Sequence, residues 1–239
     1  MDAIILLGLL MLLGGGGGQT PDQPEELDEP PRDDQEPPPM PPAPDDVSPE
    51  QIRAIATSLG LDARWGDFLV AVAWGESRWK PRAINEGDAS AARKGYRRAT
   101  DDSWLTGCEI PADRWEIGSV GLYQLLPTSG MAAWRGTAFA CRDPITTLQD
   151  PTLATIAAIQ YARRVMGWRA WRDGPRTWQA MRNAWRAPGL ADDDRPDIRD
   201  RFERALASVG LPASFADEKV TPLPSGFDPL QEAMTYVGE

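Results

Sequence analysis

The segment from Pro21 to Asp46 limits where a folded domain can lie in this chain. It contains ten prolines, ten acidic residues and a single arginine, with almost no large apolar side chain. Such a segment buries too little apolar surface to offset the entropy lost on ordering it. We therefore predict a disordered, acidic, proline-rich linker over residues 19–46, which separates a short N-terminal segment from a folded domain.

The negative charge of the chain is concentrated in this linker. The whole chain carries a net charge of −11. Ten acidic residues and one arginine give the segment from Pro21 to Asp46 a charge of −9, so the rest of the chain sums to only −2. The predicted folded part is nearly neutral and lacks the basic footprint of a nucleic-acid-binding protein. We expect no nucleic-acid partner.

The composition excludes several classes of catalytic site. The chain has no histidine and only two cysteines, Cys108 and Cys141. It therefore has no Ser-His-Asp triad, no Cys-His pair, no HExxH zinc site and no four-ligand Cys/His cluster. A GxxxxGK[ST] phosphate loop is also missing from the sequence. We expect no metal and no cofactor, and any unaided chemistry must depend on carboxylates.

The first 18 residues form a hydrophobic segment. Eleven uncharged residues, 3–13, precede a run of five glycines. The apolar part is shorter than the roughly 20 residues that a membrane-spanning helix needs, but it is long enough for a signal-peptide core. We predict a secretory or membrane-anchoring segment, with a buried core helix as the alternative. The corresponding location is the cell envelope, on the periplasmic or extracellular side.

Helix signals begin at Ser48 and continue to Gly210. Ser48, Pro49 and Gln51 have the pattern of a capping box, and a second helix shows apolar residues at i, i+3, i+4 and i+7. Further helices are predicted to start at Pro151, Pro175 and Pro196. These patterns indicate a mainly α single domain over residues 47–210 with little sheet, and a loosely structured tail over residues 211–239.

Glu76 interrupts the apolar stripe of the second helix. It follows Phe68-Leu-Val-Ala-Val-Ala-Trp-Gly, at a position where the stripe calls for an apolar side chain. Burial and the negative end of the helix dipole both disfavour an ionised carboxylate there. A carboxyl group that keeps its proton is suited to general acid catalysis. The alternative is a glutamate that emerges into solvent at the helix end.

Three sequence blocks resemble the soluble lytic transglycosylase family of the lysozyme-like superfamily. Residues 76–83 read ESRWKPRA, residues 118–129 read GSVGLYQLLPTS, and residues 180–185 read AMRNAW. They are similar to the family's E-S-x-[FW]-x-P-x-A, G-A-x-G-L-M-Q-[IL]-M-P-x-T and A-Y-N-A-G motifs. The resemblance spans about residues 50–190 and implies a lysozyme-like (α+β) catalytic domain.

The resemblance implies cleavage of the β-1,4 bond between N-acetylmuramic acid (MurNAc) and N-acetylglucosamine (GlcNAc) in peptidoglycan. In the family, the glutamate that matches Glu76 is the sole acid/base. It protonates the glycosidic oxygen and then accepts the proton of the muramoyl C6 hydroxyl, which leaves a 1,6-anhydro end. Ordinary glycosidases use two carboxylates.

The same resemblance suggests further residues of the substrate site. Gln124 matches a glutamine beside the acid in the sugar groove, although it could instead satisfy its own loop. Gly121 matches a glycine that allows close backbone approach. Ser77 follows the acid in the motif and is expected to have a structural role near the helix end. The remaining residues suggested for the substrate site are Tyr123, Arg182 and Asn183.

Two features depart from the family pattern. Arg182 replaces the tyrosine that normally lies close to the acid, so either it points elsewhere, with Tyr123 or Tyr161 supplying the phenol, or the activity is tuned differently. Residues 86–116 look like an insertion. Three aspartates in it resemble the water-positioning aspartates of goose-type lysozymes, which makes hydrolysis the alternative chemistry: Asp88, Asp101 and Asp102.

Cys108 and Cys141 bracket the second block. Outside the cytoplasm they are expected to form a disulfide, with two free buried cysteines as the alternative. The chain has ten tryptophans. Three are predicted to be core residues: Trp65, Trp178 and Trp185. Three others are candidates for stacking on sugars: Trp74, Trp79 and Trp134.

A non-catalytic peptidoglycan-binding or structural subunit of an envelope or phage assembly remains a second class of function. Arg182 is the reason, because a cation beside the acid would oppose proton donation. The expected partners are peptidoglycan glycan strands, a membrane through residues 1–18, and an envelope secretion apparatus or a phage particle.

Overall fold

The computed structural model describes residues 44–105, 107–167, 176–186 and 195–238. The hydrophobic segment 1–18, most of the linker 19–46 and the helix start at Pro175 fall outside these ranges. Across the described residues, no helix is both long enough and apolar enough to cross a membrane.

The first two helices begin at the caps that the sequence indicates. Helix α1 (Pro49–Ser58) starts with a capping box, in which Ser48 Oγ accepts a hydrogen bond from the Gln51 amide at 3.2 Å and Gln51 Oε1 accepts one from the Ser48 amide at 2.7 Å. Helix α2 (Ala63–Ser77) starts where the Asp62 carboxylate accepts the Trp65 amide at 3.0 Å. Both caps satisfy donors that the first helical turn leaves unpaired.

The rest of the described chain is also mainly helical, as predicted. The sheet found there pairs β1 (Ile84–Asn85) with β2 (Ser119–Val120) in antiparallel register, Ile84 opposite Val120. Short 3₁₀ turns cover Glu86–Asp88, Ala132–Trp134, Ala138–Cys141 and Ala213–Asp217. The α-helices that follow α2 are α3 (Ala89–Asp101), α4 (Ala112–Glu116), α5 (Pro127–Met131), α6 (Pro144–Gln149), α7 (Pro151–Gly167), α8 (Trp178–Arg186), α9 (Pro196–Ser208) and α10 (Pro229–Gly238).

Helix α2 lies at the centre of the hydrophobic core. Its side chains are buried on nearly every face over Phe68–Ala73, which is typical of a helix surrounded by other elements. Trp65 and Phe68 pack against Trp178 of α8, and Phe68 also contacts Phe202 of α9. The prediction that Trp65, Trp178 and Trp185 are core residues is confirmed, since each is at most 6% exposed.

The predicted helices that follow are also present. Helix α7 begins at Pro151, where the Asp150 carboxylate accepts the amides of Thr152 and Leu153 at 2.9 Å each. Helix α9 begins at Pro196 and buries its apolar stripe. Helix α8 is bounded by Trp178 and Arg186.

The prediction of a loosely structured tail over residues 211–239 was wrong. Phe215, Phe227 and Ala233 are buried in the core. Carbonyl groups of this segment accept hydrogen bonds from distant core side chains: Trp65 Nε1 donates to Thr221 O at 2.9 Å, and Trp134 Nε1 donates to Pro229 O at 2.8 Å. The prolines and glycines of this segment therefore mark turns in an ordered chain.

The expected disulfide between Cys108 and Cys141 is confirmed. It joins the segment that follows α3 to the 3₁₀ turn Ala138–Cys141, across a sequence separation of 33 residues. The bond closes a loop that contains β2 and the whole second sequence block. Closing a loop of this size stabilises a fold by about 3–4 kcal/mol in the chain-entropy model.

The burial of the C-terminal segment generates a test of its role. Replacing Phe215 by alanine leaves a cavity beside Trp178, and we expect the free energy of unfolding to fall by about 3–5 kcal/mol. Met234, which is 52% exposed, provides the control, because its replacement by alanine should change that free energy by less than about 0.5 kcal/mol. Urea unfolding followed by tryptophan fluorescence measures both. Equal, small changes would show that the tail does not contribute to the core.

Candidate active site

A cleft of about 380 Å³ lies at the C-terminal end of α2. Its walls come from separate parts of the chain: Gly75 and Glu76 of α2, Asn85 and Asp88 of the β1 region, Gln124 after β2, and side chains of α7, α8 and α9. The volume falls within the range usual for small-molecule sites. Glu76, Asp88 and Gln124, which the sequence analysis singled out, therefore share one cavity.

Glu76 is the most deeply placed carboxylate of the cleft. Its side chain is only 10% exposed, and Oε1 accepts a hydrogen bond from Arg182 Nη2 at 2.5 Å. Arg186 Nη1 lies 3.9 Å from the other carboxylate oxygen. Glu76 is therefore largely withdrawn from solvent, as expected, and two guanidinium groups face its carboxylate.

The side chain of Arg182 does not point elsewhere, which was one of the two alternatives. It is 2% exposed and pairs with Glu76. Burial lowers the pKa of this guanidinium, while the neighbouring Glu76 carboxylate acts in the opposite direction. Arg182 thus touches the candidate acid directly, at the position where the family motif has a tyrosine.

Ser77 has a structural position. Its Oγ lies 3.0 Å from the carbonyl oxygen of Ala73 and 2.9 Å from that of Leu122, and its single proton serves one of them at a time. This contact joins the last turn of α2 to the loop that follows β2. Ser77 is buried and lies outside the cleft lining, so the structural role suggested for it is supported and a direct substrate contact is not.

Gly121 allows the loop after β2 to pack against α6. Its φ angle is +79°, and a Cβ atom at this position would lie 1.9 Å from the carbonyl oxygen of Leu148. A side chain is excluded by both the conformation and the contact. The close backbone approach predicted for Gly121 is therefore made to the protein itself.

Gln124 lines the cleft, but its amide is bonded within its own loop. Nε2 donates to the carbonyl oxygens of Gly121 at 2.9 Å and Ala83 at 3.2 Å, and Oε1 lies 3.1 Å from Ser119 Oγ. Its backbone is left-handed, with φ at 48°. This bonding matches the alternative in which Gln124 satisfies the polar groups of its own loop. Because Gln124 also lies on the cleft wall, its contact with a sugar remains a prediction.

Tyr123 and Asn183 do not line the cleft, so the geometry does not support them as substrate contacts. The Tyr123 side chain is buried, its hydroxyl lies 3.0 Å from Thr155 Oγ1, and burial strongly raises its pKa. Leu122 and Tyr123 are consecutive in the loop after β2, and both face the core. Asn183 is 3% exposed and accepts a hydrogen bond from Gln179 at 2.8 Å.

Asp88 is the second carboxylate of the cleft. Its Oδ2 lies 2.7 Å from Ser119 Oγ and accepts a hydrogen bond from Asn85 Nδ2 at 3.0 Å. Because Ser119 also lies beside Gln124, these polar groups form one connected network. Asp101 and Asp102 lie at the far end of α3, exposed to solvent and away from the cleft lining. Of the three candidate aspartates, only Asp88 shares the cavity with Glu76.

Several cleft residues carried no specific signal in the sequence. Tyr161 was named only as one possible source of a phenol. Its hydroxyl donates to the carbonyl oxygen of Trp185 at 3.3 Å, and burial raises its pKa, as does the nearby Glu76 carboxylate. Trp185 was assigned to the core, and it lines the cleft as well. Arg186 and Arg201 also line the cleft, and both lie outside the three sequence blocks at residues 76–83, 118–129 and 180–185.

The tryptophans suggested for sugar stacking lie elsewhere. Trp79 donates from Nε1 to the carbonyl oxygen of Val70 at 3.1 Å, Trp134 is buried, and Trp74 packs under the guanidinium of Arg78. Trp185 is the tryptophan that contributes to the cleft. Within the described ranges, no group of three or more acidic or cysteine side chains could hold a metal ion.

Comparison with known proteins agrees with this arrangement. Residues 61–172 match the family model of the transglycosylase SLT domain. This range includes Glu76, Asp88, Gln124 and Tyr161, whereas α8 and α9, with Arg182, lie beyond it. No curated protein and no solved structure matches the chain. The stretch from residue 61 to residue 172, slightly less than half of the chain, is thus similar to the transglycosylase SLT domain of the lysozyme-like superfamily.

Proposed function

We propose that the protein is a peptidoglycan lytic transglycosylase that cleaves the MurNAc–GlcNAc β-1,4 bond with Glu76 as acid and base. The SLT domain supports peptidoglycan cleavage of the lytic transglycosylase type at the level of the family. The observation that carries the proposal for this chain is a carboxylate of the matched segment, Glu76, which is only 10% exposed and lies on the wall of the cleft.

The proposed reaction needs one carboxylate that changes its protonation state twice. Protonated Glu76 donates its proton to the glycosidic oxygen, the C1–O bond breaks, and GlcNAc leaves with that oxygen as a hydroxyl. The C6 hydroxyl of MurNAc then attacks C1 and gives its proton to the Glu76 carboxylate. The product is a 1,6-anhydro ring, and Glu76 returns to its starting form without consuming water.

Arg182 contacts the candidate acid directly in this proposal. Its guanidinium stabilises the carboxylate that forms when the proton leaves. Arg182 is therefore a positioning residue, which holds the carboxylate through the hydrogen bond to Oε1.

Replacement of Glu76 tests the proposal. Because Glu76→Gln preserves shape but cannot transfer the proton, we expect cleavage of purified peptidoglycan to fall by about 10²–10⁴-fold. A zymogram and the rate of release of soluble muropeptides measure the loss. Glu86→Gln, at an exposed position near the cleft, is the matched control and should retain the wild-type rate. Equal clearing by both variants, or none by the wild type, would contradict the proposal.

The ion pair predicts a loss of stability when it is broken. Arg182→Gln removes the cation beside Glu76 but leaves an amide to fill the site, so the carboxylate loses its charged partner. We expect the free energy of unfolding to fall by about 3–5 kcal/mol, measured by urea unfolding. An unchanged free energy of unfolding would show that the pair does not hold the candidate acid in place.

Hydrolysis is the second candidate chemistry, favoured by one observation. Asp88 lines the same cleft as Glu76, and a second carboxylate could position a water to attack C1. A non-catalytic peptidoglycan-binding subunit is the remaining candidate, since Arg182 engages one oxygen of the candidate acid. The zymogram separates that candidate from both enzymatic ones.

Product analysis separates the two chemistries. We expect mass spectrometry of the released muropeptides to show 1,6-anhydro-MurNAc ends, 18 Da lighter than hydrated ends, because the C6 hydroxyl replaces water. Asp88→Asn should then retain most of the rate, as should the distant control Asp101→Asn. Hydrated reducing ends, together with a large loss of rate confined to Asp88→Asn, would identify a hydrolase.

For the cellular setting, we propose export to the cell envelope with residues 1–18 as signal or anchor. The disulfide between Cys108 and Cys141 supports this location, because such bonds persist mainly outside the reducing cytoplasm. In this setting the protein would cleave the cell wall for an envelope secretion apparatus or for a phage particle.

A further inference from the structure

Asp88 is a carboxylate of the cleft that has no cationic partner in the described part of the chain. It lines the cleft together with Glu76 and Gln124. Glu76 is paired with Arg182, whereas no arginine or lysine among the described residues lies within ion-pair distance of Asp88. The negative charge of Asp88 is therefore available to a ligand in the cleft.

The two oxygens of the Asp88 carboxylate are unequally bonded. Oδ2 accepts hydrogen bonds from Asn85 Nδ2 at 3.0 Å and from Ser119 Oγ at 2.7 Å. Oδ1 has no hydrogen-bond donor among the residues that the structure describes. An ionised carboxylate has about four acceptor positions, so Oδ1 can still accept hydrogen bonds from a ligand.

Gln124 provides a second acceptor beside Asp88. Its Nε2 donates to two carbonyl oxygens, which fixes the amide with Oε1 towards Ser119. The hydroxyl of Ser119 has a single proton and lies closer to Asp88 Oδ2, at 2.7 Å, than to Gln124 Oε1, at 3.1 Å. Because the hydrogen bond to a carboxylate is the stronger one, Ser119 donates to Asp88. Gln124 Oε1 is then left without a donor in the described part of the chain.

A primary ammonium group fits these two neighbouring acceptors. A sugar hydroxyl has one proton to donate, and so has the N–H of an acetamido group. An ammonium has three protons, which can reach both acceptors, and its charge offsets that of Asp88. In a glycan strand of peptidoglycan, a GlcNAc unit that has lost its acetyl group carries such an ammonium at C2.

We propose that Asp88, together with Gln124, binds the ammonium group of a glucosamine unit of the glycan, an inference that rests on the proposed function. The protein would therefore bind N-deacetylated glycan in preference to fully acetylated glycan. Asp88 is a specificity-determining residue in this proposal. It lies in residues 86–116, the segment that looks like an insertion, so the preference would distinguish this chain from relatives that lack the segment.

The test compares two sugars that carry no peptide stem, a tetramer of β-1,4-linked glucosamine and its fully N-acetylated counterpart. Neither contains a MurNAc–GlcNAc bond, so the proposed reaction cleaves neither. We expect calorimetry with the full-length wild-type protein at neutral pH to give a Kd about 10-fold lower for the amine form. Asp88→Asn, which keeps the shape but removes the charge, should abolish most of this difference. At about pH 10 the amines have lost their protons, and the wild type should lose the preference.

Two variants control for unspecific attraction of the amines to an acidic chain. Asp101→Asn and Glu86→Gln each remove one negative charge from an exposed position in the same segment, and neither residue lines the cleft. Both variants should retain the preference for the amine form. Equal Kd values for the two sugars in the wild type, absence of binding by both, a preference that persists at about pH 10, or the same loss in a control variant would each overturn the proposal.

The result is separable from the test of catalysis. A protein that prefers the amine form but fails the zymogram would retain this binding site and lose the proposed enzymatic function. A protein that cleaves peptidoglycan but binds both sugars equally would retain the function and lose the site.

Discussion

The ion pair between Glu76 and Arg182 is the interaction on which the site depends. It joins α2 to α8 across 106 positions of sequence, and both side chains are at most 10% exposed. Removing one member of such a pair typically costs about 3–5 kcal/mol, because it leaves the other charge buried and unpaired. The pair therefore holds the candidate acid in place and links the segment matched by the family model to a helix outside it.

The position of Glu76 follows from the packing of α2. Because this helix packs against α1, α8 and α9, its direction is fixed, and its last turn brings the carboxylate to the cleft wall. Ser77 then bonds to the loop after β2, and Gly121 lets that loop pack against α6. One central helix thus positions the acid and the opposite wall of the cleft together.

The sequence predicts those features that depend on local pattern. The capping box at Ser48, the starts of α7 and α9, and the carboxylate of Glu76 could be read from residues close in the chain. Features that depend on contacts between residues distant in the chain could not be predicted in this way. Tyr123 and Gln124 are neighbours in one motif, yet one is core and the other lines the cleft. The C-terminal segment has weak periodicity, and its order comes from hydrogen bonds that core side chains such as Trp65 donate to it.

The arginine at position 182 gives the site a different electrostatic balance from that of the family motif. A phenol beside the acid can donate a hydrogen bond without adding charge, whereas a guanidinium adds a full positive charge to the contact. Arg186 Nη1 lies 3.9 Å from the second carboxylate oxygen, so both oxygens of Glu76 face a cation. Whichever oxygen carried the proton in the proposed reaction would therefore do so beside a guanidinium group, a condition that the tyrosine of the family motif does not impose.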